Sequence, residues 1–123
     1  MNEPNKKTIG QEGEDIAAEY LVNNGFELIT RNYRHGHGEI DIIVNDKSDG
    51  YLVFVEVKTR QNLEFGEPEY AITKSKIKQL KKIAEAYVYE KDFKEVECRF
   101  DVIAIIWNRE TKPKITHYKN AFD

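Results

Sequence analysis

Two runs rich in valine, isoleucine and phenylalanine, residues 39–44 and 51–60, stand on either side of Asp46-Lys-Ser-Asp-Gly50. β-Branched and aromatic side chains suit a pleated, packed surface, and an Asp/Ser/Gly cluster between two such runs reads as a turn. The pair predicts an antiparallel hairpin. A turn centred between Ser48 and Asp49 sets Asp41 directly across from Glu56, and Glu39 across from Lys58. Residues two apart share a strand face, so Glu39, Asp41 and Ile43 are expected on one side and Ile40, Ile42 and Val44 on the other. On the next strand Leu52, Phe54, Glu56 and Lys58 share a face, opposed to Val53, Val55 and Val57. A slip of one residue would undo this arrangement.

The rest of the chain builds around the hairpin. Ile9, Gly13, Ile16, Ala17, Tyr20 and Leu21 recur at helical spacing, with Glu12, Asp15 and Glu19 opposite, and Gly25 is placed to end that helix. Gly10 and Gly13 each cost a helix about 1 kcal/mol against alanine, which implies close approach of something to its backbone. Residues 26–34 alternate loosely as a further strand, and His35-Gly-His-Gly38 reads as the turn into residues 39–44. Residues 61–68, with Gly66 and Pro68, read as a loop. Ile77, Leu80, Ile83, Ala84, Tyr87 and Val88 mark a second helix. Residues 96–107 are apolar enough for a central strand, and 114–118 suit an edge strand. A crossover helix between the third and fourth strands makes those two parallel, while the earlier hairpins are antiparallel. The expected architecture is α/β: a mixed central sheet flanked by helices, in the order αβββαβ with a further edge strand.

A chain of 123 residues suits one compact domain. Residues 1–8 read as a polar tail, 9–118 as the domain and 119–123 as a C-terminal tail. The single Cys98 cannot form an internal disulfide, no apolar run resembles a signal peptide, and none is long enough to span a bilayer. A soluble cytoplasmic protein without membrane association is expected. The net charge of −3 argues against indiscriminate coating of nucleic acid. Local distribution matters more, and Lys74, Lys76, Lys78, Lys81 and Lys82 crowd one short segment.

Two carboxylates on directly opposed strand positions repel each other, and a bound divalent cation is the natural offset. Mg²⁺ favours a few carboxylate oxygens with waters and phosphate oxygens, which suits a phosphodiester. Lys58 lies roughly 7 Å beyond Glu56 on the same strand face, where it can serve an attacking water. Charged residues on a half-exposed strand are usually solvated decoration. Here Val53, Phe54, Val55 and Val57 mark an interior strand, where a carboxylate needs a partner. Glu14 projects from the border of the first helix's apolar stripe, a position that suits either a site or the helix dipole. Glu39 reads equally as a metal neighbour or as the ion-pair partner of Lys58. His35 and His37 lack a nearby cysteine or third histidine, so they read as loop residues rather than zinc ligands. Asp101 reads as a structural carboxylate paired with Arg99 or Arg60.

Gly38-Glu-Ile-Asp41 and Phe54-Val-Glu-Val-Lys-Thr-Arg60 are preceded by Gly10-Gln-Glu-Gly-Glu14 and Arg31-Asn-Tyr-Arg34. Together they resemble the bacterial YraN family, an uncharacterised group regarded as distant relatives of archaeal Holliday-junction resolvases. The resemblance runs from about Gly10 to Ile106 and takes in Phe65-Gly66, Lys76 and Arg99-Phe-Asp101. It implies a restriction-endonuclease-like core of the PD-(D/E)XK superfamily. On that pattern Asp41 is the acid of the first catalytic strand, Glu56 and Lys58 are the acid and lysine of the second, and Glu14 is the acid of the first helix. One departure is plain: Ile40, not proline, precedes Asp41.

The resemblance and the hairpin together lead to an expectation of a Mg²⁺- or Mn²⁺-dependent endonuclease acting on DNA, with branched DNA as the favoured substrate. Asp41 and Glu56 would hold the metal with the backbone carbonyl of Val57 and with Glu14. Lys74, Lys76, Lys78, Arg34 and Arg60 would contact nucleic acid. Resolvase relatives work as dimers, so a homodimer is among the expected partners. The rival readings are a non-catalytic nucleic-acid-binding or assembly module of the same fold, and an interaction protein that docks an acidic partner.

Overall fold

The computed structural model describes residues 6–62 and 72–122; the Phe65-Gly66 pair and most of the expected 61–68 loop lie outside them. The elements run α1 (Ile9–Asn23), β1 (Phe26–His35), β2 (Gly38–Asp46), β3 (Leu52–Arg60), α2 (Lys74–Glu90), β4 (Cys98–Ile106) and β5 (Lys114–Tyr118). The sheet order is β1-β2-β3-β4-β5, with β3 and β4 parallel and every other neighbouring pair antiparallel. This is the mixed sheet and αβββαβ order expected, completed by the edge strand β5.

Helix α1 begins where Thr8 accepts from the Gln11 backbone and the Gln11 side chain returns a bond to the Thr8 N–H. That reciprocal cap satisfies two of the amides that a helix start leaves without partners. The chain leaves the helix through Gly25 at φ +90°, a left-handed conformation that only glycine adopts freely.

Each helix covers one face of the sheet. Ala17, Ala18 and Leu21 of α1 pack on Ile42, Val44, Val53, Val55, Ile103 and Ile105. Leu80, Ile83, Ala84 and Tyr87 of α2 pack on Ile40, Ile43, Leu52 and Phe54. Strands β3 and β4 are thus buried on both sides, which explains their near-continuous apolar runs. Helix α1 approaches β3 so closely that a Cβ on Gly13 would lie 2.1 Å from Thr59 Oγ1. Gly10 has no such neighbour. The close approach expected of both glycines belongs to Gly13 alone.

The β4–β5 end is held by charge. Arg99 Nε and Nη2 donate to Asp101 at 2.9 and 3.0 Å, and the same guanidinium reaches Asp46 at 3.1 Å and Asp49 at 2.8 Å. His117 Nε2 lies 2.7 Å from Asp101, and the Asn120 N–H donates to it at 2.9 Å. Asp101 is therefore a structural carboxylate, and Arg99 is its arginine. Past β5 the chain stays attached, through Ala121 N–H to Phe100 O and through Phe122 stacked on Phe100.

Candidate metal centre

The β2–β3 ladder pairs Asn45 with Leu52, Val44 with Val53, Ile43 with Phe54 and Ile42 with Val55, and there it stops. One further step in that register sets Asp41 against Glu56, as the turn position predicts. Reciprocal backbone bonds fall at every second pair, so a continued ladder would join the Val57 N–H to the carbonyl of Ile40. Instead Val57 donates to Asp41 Oδ2 at 2.8 Å. The carboxylate has taken the place of a strand carbonyl and lies in the gap where the two strands part.

This gap corrects the simple face assignment. Ile40 packs against α2 together with Ile43, while Ile42 and Val44 pack against α1. Alternation fails between Ile40 and Ile42 because Asp41 turns into the plane of the sheet. Strand β3 stays regular, paired with β4 through Arg60, so Glu56 and Lys58 keep one face. Glu56 is on the α2 side, where Lys76 Nζ is 3.9 Å from its Oε2. That distance allows attraction but no hydrogen bond. Glu56 Oε2 is buried without a hydrogen-bond partner.

Burial raises the Asp41 carboxyl to about 7, the neighbouring Glu56 charge adds to the effect, and the Val57 N–H opposes it. On its other side Asp41 meets Glu14 and Glu39: one carboxylate oxygen from each of the three lies within 4.8 Å of the others. Glu14 is also raised, first by burial and then by the Asp41 charge, against the pull of Arg31. Arg31 bonds Glu14 at 3.2 Å and Asp15 at 2.7 Å.

Among the predicted residues, Asp41 neighbours the Val57 N–H, Glu56 and Glu14, but the three acids whose oxygens converge are Glu14, Glu39 and Asp41, and Glu56 is outside that group. Lys58 follows Glu56 and is exposed. Glu39 does not pair with it; its oxygens take Asn32 Nδ2 at 3.0 Å and Arg34 Nε at 3.3 Å, because β1 lies beside that end of β2 and β3 has diverged from it. Of the predicted nucleic-acid contacts, Lys76 leans toward Glu56, while Lys74, Lys78, Arg34 and Arg60 are exposed. His37 shares a shallow depression with Arg34 and Glu39. Two neighbours of the cluster escaped sequence reasoning, Arg31 and Asn32. A signal existed for the second, since asparagine is among the few side chains tolerated at positive φ.

The elements and their acidic junction define an α/β protein with a mixed five-stranded sheet, a helix on each face and a carboxylate cluster where β2 parts from β3. The model of the uncharacterised protein family UPF0102 matches residues 13–105. The chain belongs to this family, which is the YraN family. It is 42% identical over 117 residues to a UPF0102 protein of Trichlorobacter lovleyi, covering 95% of this chain and 91% of that one. It is 42% identical over 124 residues to one from Caldanaerobacter subterraneus, covering 99% and 100%, and 49% identical over 102 residues to one from Dictyoglomus turgidum, covering 83% and 85%. Among solved structures it is similar to a repair endonuclease from Pyrococcus abyssi, at 18% identity and a TM-score of 0.47, over 89% of this chain and 42% of that one. Among the described residues no helix is long and apolar enough to cross a membrane.

Proposed function

We propose that this protein is a Mg²⁺- or Mn²⁺-dependent endonuclease of DNA, with branched substrates such as four-way junctions favoured. The observation that carries the reading is the pairing of Asp41 with Glu56, two acids in mutual repulsion, where Glu56 Oε2 is buried without a hydrogen bond. A buried carboxylate oxygen without a hydrogen bond is costly, Lys76 is too distant to donate one, and a hard divalent cation is the partner this donor set suits. The residues present therefore fit a metal: Asp41, Glu56 and the carbonyl of Val57, with Glu14 on the far side of Asp41. When bound, such an ion supplies charge for a phosphoryl oxygen and acidifies a water.

The chain's own residues have distinct tasks in this reading. The Val57 N–H fixes Asp41 Oδ2 in the gap between the strands. Lys58, exposed on the face that carries Glu56, orients the attacking water and offsets charge that builds on the phosphate. Lys74, Lys76 and Lys78 at the start of α2, with Arg34 and Arg60, give the acidic centre a basic margin for neighbouring phosphates. Lys76 is the link between the two, since it also faces Glu56.

A labelled panel of four-way junction, flap, duplex and single-stranded DNA tests the proposal, incubated with Mg²⁺ or Mn²⁺ beside Glu56→Gln. Metal-dependent cutting by wild type and none by the variant is the expected result. Binding without cutting by both would replace the enzyme with a nucleic-acid-binding module.

A further inference from the structure

We infer that Asn32 is a positioning residue of the acidic centre, whose side-chain amide orients Glu39, and with it Glu14, toward Asp41. The inference rests on the metal-dependent reading above and adds a residue to it.

Strand β1 turns over at this residue. The β1–β2 ladder pairs Arg31 with Ile42 and Tyr33 with Ile40 but omits Asn32, the residue that faces Asp41. In a regular strand Arg31 and Tyr33 would share a face. Here Arg31 reaches Glu14 and Asp15 of α1, while Tyr33 bonds Glu90 and packs edge-on to Tyr87 of α2. Asn32 itself sits at φ 54°, in the left-handed region.

That backbone gives the amide its position. Nδ2 donates to Glu39 Oε1 at 3.0 Å, and Asn32 lines one cleft with Glu14, Arg31, Arg34 and Glu39. The Asn32 side chain is also a hydrogen-bonding neighbour of Glu14. The chemistry of the donor matters. Arg31 and Arg34 cancel the charge of the acids they touch, whereas a neutral amide fixes a carboxylate oxygen and leaves its negative charge for a cation. Glycine would satisfy φ 54° equally well, so the backbone alone does not call for asparagine.

The discriminating experiment is a Mn²⁺ titration of the full chain, with free Mn²⁺ read by electron paramagnetic resonance and thermal melts run in parallel. Asn32→Gly keeps the left-handed backbone and removes only the amide; Asn32→Ala removes the amide and strains the backbone. Both should weaken Mn²⁺ binding by about tenfold, the usual effect of losing a bond that orients a ligand. Asn32→Gly should melt close to wild type. Glu39→Gln should weaken binding comparably, because Asn32 acts through Glu39. Wild-type affinity in Asn32→Gly or in Glu39→Gln overturns the inference and leaves the metal centre standing. No Mn²⁺ binding by wild type removes the metal reading and this inference with it.

Discussion

The Val57 backbone N–H donates to Asp41 at 2.8 Å, in place of the β2 carbonyl that a continued ladder would offer. This one substitution of side chain for backbone ends the hairpin, turns Ile40 onto the α2 side and brings an acid into the sheet beside Glu56.

That position makes Asp41 a pH-dependent liability in the metal-free protein. Burial and the Glu56 charge raise its folded pKa from the ordinary aspartate value to about 7. A raised carboxyl pKa means the folded state holds the proton more tightly. The stabilisation is complete below the unfolded value and is lost as pH rises toward 7. Asp41→Asn should thus be the more stable protein at pH 8 in chelator, by on the order of 1–3 kcal/mol. The advantage should vanish near pH 4. Denaturant melts of both proteins across that range measure it, and parallel curves would remove Asp41 as the source.

The two helix glycines should respond with opposite signs. Gly13→Ala drives a methyl into Thr59 and should cost about 1–3 kcal/mol. Gly10→Ala meets nothing nearer than 3.8 Å and should be neutral or stabilise by up to about 1 kcal/mol. Equal effects in chemical melts would contradict the packing of α1 on β3.

Asp101 should behave as a structural group. Burial pushes its carboxyl up, but His117, Arg99 and the Asn120 N–H together hold it below the ordinary value. A lowered carboxyl pKa contributes stability above the unfolded value that is lost as pH falls. Asp101→Asn should cost about 3–5 kcal/mol at neutral pH by leaving Arg99 without its closest buried partner, and less in acid. It should leave Mn²⁺ affinity unchanged in whatever fraction remains folded.

Replacing Lys76 and Lys78 with alanine should weaken binding to DNA of any sequence and reduce the slope of log affinity against log salt by about one to two. An unaltered slope would return the start of α2 to an ordinary solvated surface.

Much of the fold was legible because its signals are local. The Asp46-Lys-Ser-Asp-Gly50 turn centres the hairpin where its register requires, and Ile42 does face Val55. The Ile77–Leu80–Ile83–Tyr87 spacing marks the helix that makes β3 and β4 parallel. What escaped depends on departures from regularity. Alternation places Ile40 with Ile42, and nothing in the residue string says that Asp41 will bond a backbone amide and reverse that order. The same holds for Glu39: the extrapolated ladder points it at Lys58, but the strands have parted before that pair can form. The Thr8–Gln11 cap is readable from its spacing, and the left-handed turn at Asn32 has its signal in the residue type. For the centre itself, the hairpin register brings Asp41 and Glu56 near each other, whereas Glu14 and Glu39 join only through the packing of α1 and the turn of β1.

Melts of wild type and Glu56→Gln, in chelator and in millimolar Mn²⁺, separate a metal site at Asp41 and Glu56 from a structural ion-pair cluster. In chelator the variant should be as stable as wild type or more so at neutral pH, because it relieves repulsion of Asp41. Mn²⁺ should raise the wild-type melting temperature, with a stabilisation that grows as RT ln(1 + [Mn²⁺]/Kd), and should leave Glu56→Gln unmoved. The contradicting result is a wild type indifferent to metal beside a Glu56→Gln strongly destabilised in chelator, which would make Glu56 the structural partner of Lys76.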